Sequence, residues 1–247
     1  MWSSGAERPQ ERVGRDACPH SWPYMAALQN KNLTVFCGGA LVEEQWVLTA
    51  AHCLFNKSKH TVVLGAHQPS TIINETEQQR FKVIRSFRNP QYDSSSFEND
   101  IMLLKLSGAA KLNKYVKRLP LPDSFEDLKP GTRCKVAGWG VTSTRWQSKY
   151  LQKAKLKIVS RESCNSKYAN KPKITNNMLC AAEEDPRCLR DACWEDSGGP
   201  LICAGRYSGI ISFGRGCGEG GIPGVYTRLT KSYINWIKKT ISCHRDP

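Results

Sequence analysis

The stretch Asp191-Ala-Cys-Trp-Glu-Asp-Ser-Gly-Gly-Pro200, DACWEDSGGP in one-letter code, decides how the chain is read. Ser197 stands there between an aspartate and two glycines, a setting that suits a hydroxyl presented on a tight turn. Taken alone, a Ser-Gly-Gly tripeptide is more often a flexible turn and nothing else. Its meaning depends on what the other 237 or so residues supply, the chemistry of a serine hydroxyl being weak without a neighbouring base.

Composition sets the class. The chain has 247 residues, enough for one domain or two small ones, and it carries eleven cysteines. No paired C-x-x-C spacing accompanies them, so a disulfide framework in an oxidising compartment is favoured over zinc. Sequons at Asn32, Asn56 and Asn74 are glycosylation candidates and point to the same compartment. Residues 1–17 contain no apolar run that could act as a signal peptide, and the reading that reconciles them with the cysteines is a natural N-terminus different from Met1. No stretch approaches the roughly 18 apolar residues of a membrane span. The formal net charge of +14 attracts polyanions, and the densest basic run is Lys149–Lys157 with Lys167, Lys171 and Lys173 beyond it. A sulfated glycosaminoglycan is one such partner; specific nucleic-acid readout is not expected, for no zinc-finger, RNP or helix-turn-helix signature is present. His20, His60, His67 and His244 are isolated, and Glu75 and Glu77 are too few for a calcium loop, so neither a metal nor another cofactor is expected.

Short runs rich in Val, Ile and Phe recur between turn signals: KHTVVLG, RFKVIRSF, DIMLLKL, CKVAGWG and GVYTRL. Their spacing argues for an all-β barrel or sandwich. One helix is predicted near the end, about 230–242, with Tyr233, Ile234, Ile237 and Ile241 on a common face and Lys238 and Lys239 turned away.

Two further motifs give Ser197 its context. LTAAHC places His52 beside Cys53, and FENDIMLLKL places Asp100 at the head of an apolar strand. An imidazole titrates in the range needed to deprotonate a hydroxyl, and a buried carboxylate fixes its tautomer and steadies the imidazolium. The order His, Asp, Ser is one of those in which this triad occurs. At this point the chain resembles the trypsin/chymotrypsin-fold serine proteases from about Cys18 to Ser242. The motifs PHSWPYMAALQ, LTAAHC, VVLGAH, VAGWG and ISFG look most like those of granzymes, the granule-associated branch.

The resemblance implies two six-stranded antiparallel β-barrels packed face to face with a C-terminal helix. Residues 1–17 would form a disordered extension and 18–247 the protease domain, with barrels over about 25–118 and 119–229 and the helix at about 230–242. It implies catalytic roles for His52, Asp100 and Ser197, an oxyanion hole from the N–H groups of Glu195 and Ser197, and disulfides Cys37–Cys53, Cys134–Cys203, Cys164–Cys180 and Cys193–Cys217. Cys18, Cys188 and Cys243 are left over; either two of them pair or one joins another chain. Asp191 falls at the floor of the primary specificity pocket, where its carboxylate would pair with Lys or Arg. Gly214 and Gly224 match the pocket walls, and Ser212, Phe213 and Gly214 match the strand that pairs with the substrate backbone.

Two departures bear on rate. Glu195 replaces the family's glycine at the oxyanion hole, and loss of one such donor typically costs about 10²–10³ in turnover. The family's new N-terminus after activation pairs with the aspartate before the nucleophile, here Asp196. ERVGRDAC offers Val13 after a cut at Arg12, about two residues short of the family's start. The expectation is a secreted or granule-stored, monomeric endopeptidase cutting proteins or peptides after Lys or Arg, with weak or zymogen-like activity and serpin-type inhibitors. The alternative is a catalytically impaired homologue that acts as a binding protein.

Overall fold

The computed structural model describes residues 15–70, 77–140, 147–184, 197–215 and 221–245. Two antiparallel sheets make up most of it. The first contains β2 (Met25–Gln29), β3 (Val35–Glu43), β4 (Trp46–Thr49), β5 (Thr61–Leu64), β6 (Gln79–Phe81), β7 (Val83–Arg88) and β8 (Met102–Leu106), in the order β6-β5-β2-β3-β4-β8-β7. The second contains β1 (Arg15–Asp16), β9 (Arg133–Gly138), β10 (Gln152–Val159), β11 (Met178–Glu183), β12 (Pro200–Cys203), β13 (Arg206–Phe213) and β14 (Gly224–Arg228). Its strands run β9-β10-β11-β14-β13-β12 and close into a ring through the β12–β9 ladder, with β1 added on the outside of β10.

The expected pair of six-stranded barrels therefore holds for the second sheet, while the first is a seven-stranded half-barrel by its ladders. The physical reason is local. RFKVIRSF was expected as one strand, but Lys82 interrupts it, so β6 bonds to β5 and β7 to β8. A break of this kind bends a strand and lets a sheet curl. Within the expected extension, residues 15–17 belong to the fold: Arg15 and Asp16 pair with Lys153 and Gln152, where β10 offers a free edge, and Ala17 is buried.

β4 and β8 are buried along their whole length, whereas β10 alternates, and together such strands set the cores. Val62, Leu64, Leu103, Leu104, Val47 and Leu48 are buried in the first barrel, and Val136, Leu156, Ile158 and Leu201 fill the second. The C-terminal helix α2 (Lys231–Cys243) begins at Thr230, whose side chain accepts the Tyr233 N–H. Tyr233, Ile234, Ile237 and Ile241 are its buried face, and they belong to the same cluster as the first barrel's core. The helix that ends the second barrel thus packs on the first. A second helix, α1 (Arg161–Tyr168), was not expected from the sequence. Its signals are brief: a Ser160 cap accepting the Ser163 N–H, and Cys164 and Tyr168 buried one turn apart.

Three of the implied disulfides are formed, Cys37–Cys53, Cys134–Cys203 and Cys164–Cys180. Cys193, Cys217 and Cys188 lie outside the described residues. Cys18 and Cys243 are exposed free thiols, so they do not pair with each other. No described helix is long and apolar enough to cross a membrane.

Because Ile237 is fully buried between α2 and the first barrel, Ile237→Ala is expected to lower unfolding free energy by about 2–5 kcal/mol. Urea titration followed by tryptophan fluorescence checks this, with the loss seen as a lower midpoint at unchanged slope.

Candidate active site

Asp100 has no exposed side-chain surface. A carboxylate so buried must be saturated with donors, and three reach it. His52 donates its backbone N–H to Oδ1 at 2.9 Å and faces Oδ2 with Nδ1 at 2.7 Å. Ser212 donates its hydroxyl to Oδ2 at 2.5 Å. Asp100 and His52 come from the first barrel, Ser212 from β13 of the second. The Thr227 hydroxyl, also from the second barrel, donates to the Asp100 carbonyl at 2.8 Å.

The chain leading into Asp100 is a folded loop. Asp93 accepts from Ser95 and Ser96 and donates its own N–H to Glu98 O. Hydrogen bonds from Ser96 and Ser95 hold the Asp93 carboxyl below the usual carboxylate range. Phe97 and Asn99 both have left-handed backbones, φ 59° and 57°. Asparagine tolerates that region, whereas a phenylalanine there is strained. Asn99 is held by the Tyr233 hydroxyl of α2, which donates to its Oδ1 at 2.8 Å. Burial pushes the Tyr233 phenol up, so it stays a protonated donor.

With Nδ1 engaged by Asp100, His52 presents Nε2 as its free nitrogen. The imidazole is 24% exposed and stands edge-on to Phe97, ring centroids 6.0 Å apart. Phe97 in turn packs on Phe213 at 4.8 Å, and Phe213 meets Tyr168 edge-on at 5.7 Å. Sequence reasoning missed Phe97 because nothing local marks it; its left-handed backbone is visible only in the folded loop.

Ser197 arrives from the second barrel. Its carbonyl accepts the Gly38 N–H of β3 at 2.8 Å and lies 3.5 Å from Cys53 Sγ. The same sulfur is 4.0 Å from His52 Nε2, so the Ser197 turn and the free imidazole nitrogen approach one atom. Gly198 follows with φ 87°, and a Cβ there would collide with Thr49 Oγ1 and Gly38 O, so only glycine fits. Thr49 is itself fixed by donating to Gly38 O at 2.7 Å. Cys37, His52 and Cys53 are the one group of potential metal-binding side chains gathered together among the described residues, and there both sulfurs are consumed by their mutual bond.

Of the residues expected to shape specificity, Phe213 lies behind Phe97 beside His52, and a Cβ on Gly214 would meet only open space. Gly224 opens β14, beside the Tyr226 ring. Asp191, Glu195 and Asp196 lie outside the described residues, as does Asn74; Asn32 and Asn56 are exposed.

A family model described as Trypsin matches residues 12–237. The chain belongs to the trypsin family. Among curated relatives, it is 42% identical to bovine (Bos taurus) granzyme A over 233 residues, covering 93% of this chain and 87% of that protein. It is 40% identical to rat (Rattus norvegicus) cationic trypsin-3, covering 94% and 90%. Mouse neuropsin, a serine protease of known structure, superposes with a TM-score of 0.81 at 38% identity, covering 92% of this chain and 98% of that one. The chain is therefore a trypsin-like serine protease homologue, and its relatives are hydrolases acting on proteins or peptides.

The Ser212 hydroxyl is one of the three donors that satisfy a fully buried carboxylate. Ser212→Ala is expected to cost about 1–3 kcal/mol of stability, measured as a lowered denaturation midpoint, and Ser212→Thr should restore part of it.

Proposed function

We propose that the protein is an endopeptidase that cuts after Lys or Arg through a Ser197–His52–Asp100 triad. The observation carrying this reading is the buried Asp100 carboxylate on His52 Nδ1, which leaves Nε2 free on the side of the Ser197 turn. His52 would take the Ser197 proton as the hydroxyl attacks the scissile carbonyl, then return it to the departing amine. Asp100 would hold the tautomer and stabilise the imidazolium without itself being protonated. The N–H groups of Ser197 and Glu195 would receive the oxyanion, and Asp191 would pair with the Lys or Arg side chain. Asp196 is the counterpart for a new N-terminal amine, so a zymogen-like resting state fits the same scheme. A secreted or granule-stored, glycosylated monomer with serpin-type inhibitors belongs with this reading.

Glu195 favours a second reading, a homologue whose chemistry is impaired and whose cleft binds without cutting. Labelling of Ser197 by a fluorophosphonate, with hydrolysis of a Lys or Arg thioester, separates the two, before and after treatment with a trypsin-like activator. Labelling and hydrolysis are expected, Asp191→Ser should lower kcat/KM for Arg thioesters by 100-fold or more, and Glu195→Gly should raise turnover by about 10²-fold. No labelling in either state would overturn the protease reading.

The basic surface supports a sulfated glycosaminoglycan partner. β9 and β10 set Lys135 directly opposite Lys155 and Arg133 opposite Lys157, with Lys153 on the same face. Like charges facing each other oppose folding, and Glu184 offsets only part of this through Arg133 and Lys157. Such an exposed basic stripe favours a polyanion. Elution from heparin above about 0.5 M NaCl is expected, falling markedly in a Lys135→Ala/Lys153→Ala/Lys155→Ala variant; elution near physiological salt would remove this partner.

A further inference from the structure

With the Cys37–Cys53 bridge opened, three metal-ligating side chains stand together at the candidate catalytic histidine. Cys53 Sγ lies 4.0 Å from His52 Nε2, and the two sulfurs and a His52 ring nitrogen all lie within 4.8 Å of one another. Around a tetrahedral zinc ion, with bonds of about 2.3 Å to sulfur and about 2.0 Å to nitrogen, such ligand atoms stand roughly 3.5–3.8 Å apart. The bridge holds its sulfurs closer than that, so opening it moves them toward the zinc spacing. The imidazole has only about half an ångström to close.

His52 is already set as a ligand. Its Nδ1 faces the Asp100 carboxylate at 2.7 Å, so the proton sits on Nδ1 and the lone pair on Nε2. A carboxylate behind a histidine fixes the tautomer and ring orientation of a metal-bound imidazole and raises the basicity of its ligating nitrogen. Asp100 is itself held by the His52 N–H and the Ser212 hydroxyl. Cys37 and Cys53 are buried, whereas the imidazole opens to solvent, so an ion can enter along it. Two thiolates cancel the charge of a divalent ion, which a site bordered by the Phe97 ring requires. Their softness selects zinc over calcium or magnesium.

We propose that reduction of Cys37–Cys53 creates a zinc site made of Cys37 Sγ, Cys53 Sγ and His52 Nε2, with water in the fourth position. A dithiol supplies the two electrons by thiol–disulfide exchange: it becomes a disulfide while Cys37 and Cys53 become thiols. Zinc then binds both sulfurs and releases their two protons to solvent, and the Nδ1 proton stays between His52 and Asp100. Because zinc binds only the opened bridge, it draws the exchange toward reduction. On the hydrolytic reading, the ion also occupies the lone pair that would accept the Ser197 proton. Reduction with zinc then shuts the triad off.

Cobalt(II) tests the site directly, since thiolate ligands give it charge-transfer absorption and tetrahedral coordination gives it intense visible bands. The full chain is reduced with a phosphine, which competes for metal less than a dithiol does, and titrated with cobalt. One bound equivalent is expected that is absent before reduction, displaced by zinc and not by calcium or magnesium. Reduced Cys37→Ala/Cys53→Ala protein should lose that equivalent, which separates it from metal held by the other opened bridges. His52→Ala should weaken it by about 100-fold. A folded reduced protein that binds no cobalt would overturn the site, as would an equivalent unchanged in either variant or equal binding before reduction. Should reduction unfold the chain, which circular dichroism reveals, Cys37→His decides instead. Without reductant it gathers one thiolate and two imidazoles while the other bridges stay closed, and the lack of a His52-dependent cobalt equivalent there would overturn the proposal. Thioester hydrolysis is read separately. Zinc is expected to lower it about tenfold or more in the reduced protein alone, and hydrolysis unchanged at saturating zinc would overturn the coupling to His52. No hydrolysis in any form would count against the hydrolytic reading, and the cobalt titration would still decide the site.

Discussion

The hydrogen-bonded burial of the Asp100 carboxylate is the constraint on which the rest of the molecule depends. A carboxylate without solvent is tolerable only when fully supplied with donors, and no single barrel supplies them. His52 gives two groups from the first barrel, and Ser212 gives its hydroxyl from the second. The barrels must therefore dock in one register for the charge to be buried at all. The same register carries Ser197 across the junction, where its carbonyl meets the Gly38 N–H. The contacts that bury the charge and the one that positions the Ser197 turn thus belong to one interface between the barrels.

The loop before Asp100 and the terminal helix enforce this docking from outside. α2 is covalently the end of the second barrel, yet its isoleucines belong to the first barrel's core, and its Tyr233 holds Asn99. Apolar burial on that helix, which is large and non-directional, thus stabilises a local backbone that is otherwise costly: Phe97 and Asn99 in the left-handed region within three residues of Asp100. Strain beside a site persists where surrounding structure over-determines it. Here the over-determination is visible in the hydrogen bonds of Asp93, Asn99 and Tyr233.

What was legible in the sequence was whatever short motifs and periodicity encode. His52, Asp100 and Ser197 sit in tripeptides whose order is informative, and the buried face of α2 is spelled by Tyr233, Ile234, Ile237 and Ile241. The disulfide partners came from family resemblance, because connectivity is a property of the folded chain. α1 was missed since its buried face is only Cys164 and Tyr168, too little for a periodic signal over eight residues. The split at Lys82 was missed because both halves have strand composition, and pairing partners decide where such a strand breaks. Ser212 was singled out by the family resemblance for another role, but its bond to Asp100 joins residues 112 positions apart. Phe97 is the clearest case: its contact with His52 follows from a loop conformation that no residue within the loop announces.

Two chemically different surfaces flank the imidazole. On one flank, Phe97 and Phe213 form an aromatic wall beside the strand leading to Gly214; on the other, the Cys37–Cys53 bridge leads to Leu54, Phe55 and Phe36. The described contacts of the ring are Phe97, Cys53 and the Asp100 carboxylate. A low-polarity setting strengthens the interaction between Asp100 and an imidazolium formed in the reaction, and it makes any further unpaired charge beside the ring costly. On the proposed hydrolytic reading, a group that selects substrates by charge, such as Asp191, belongs away from the histidine. That separation would follow from the dielectric need of a His52–Asp100 pair and not from the identity of any one substrate.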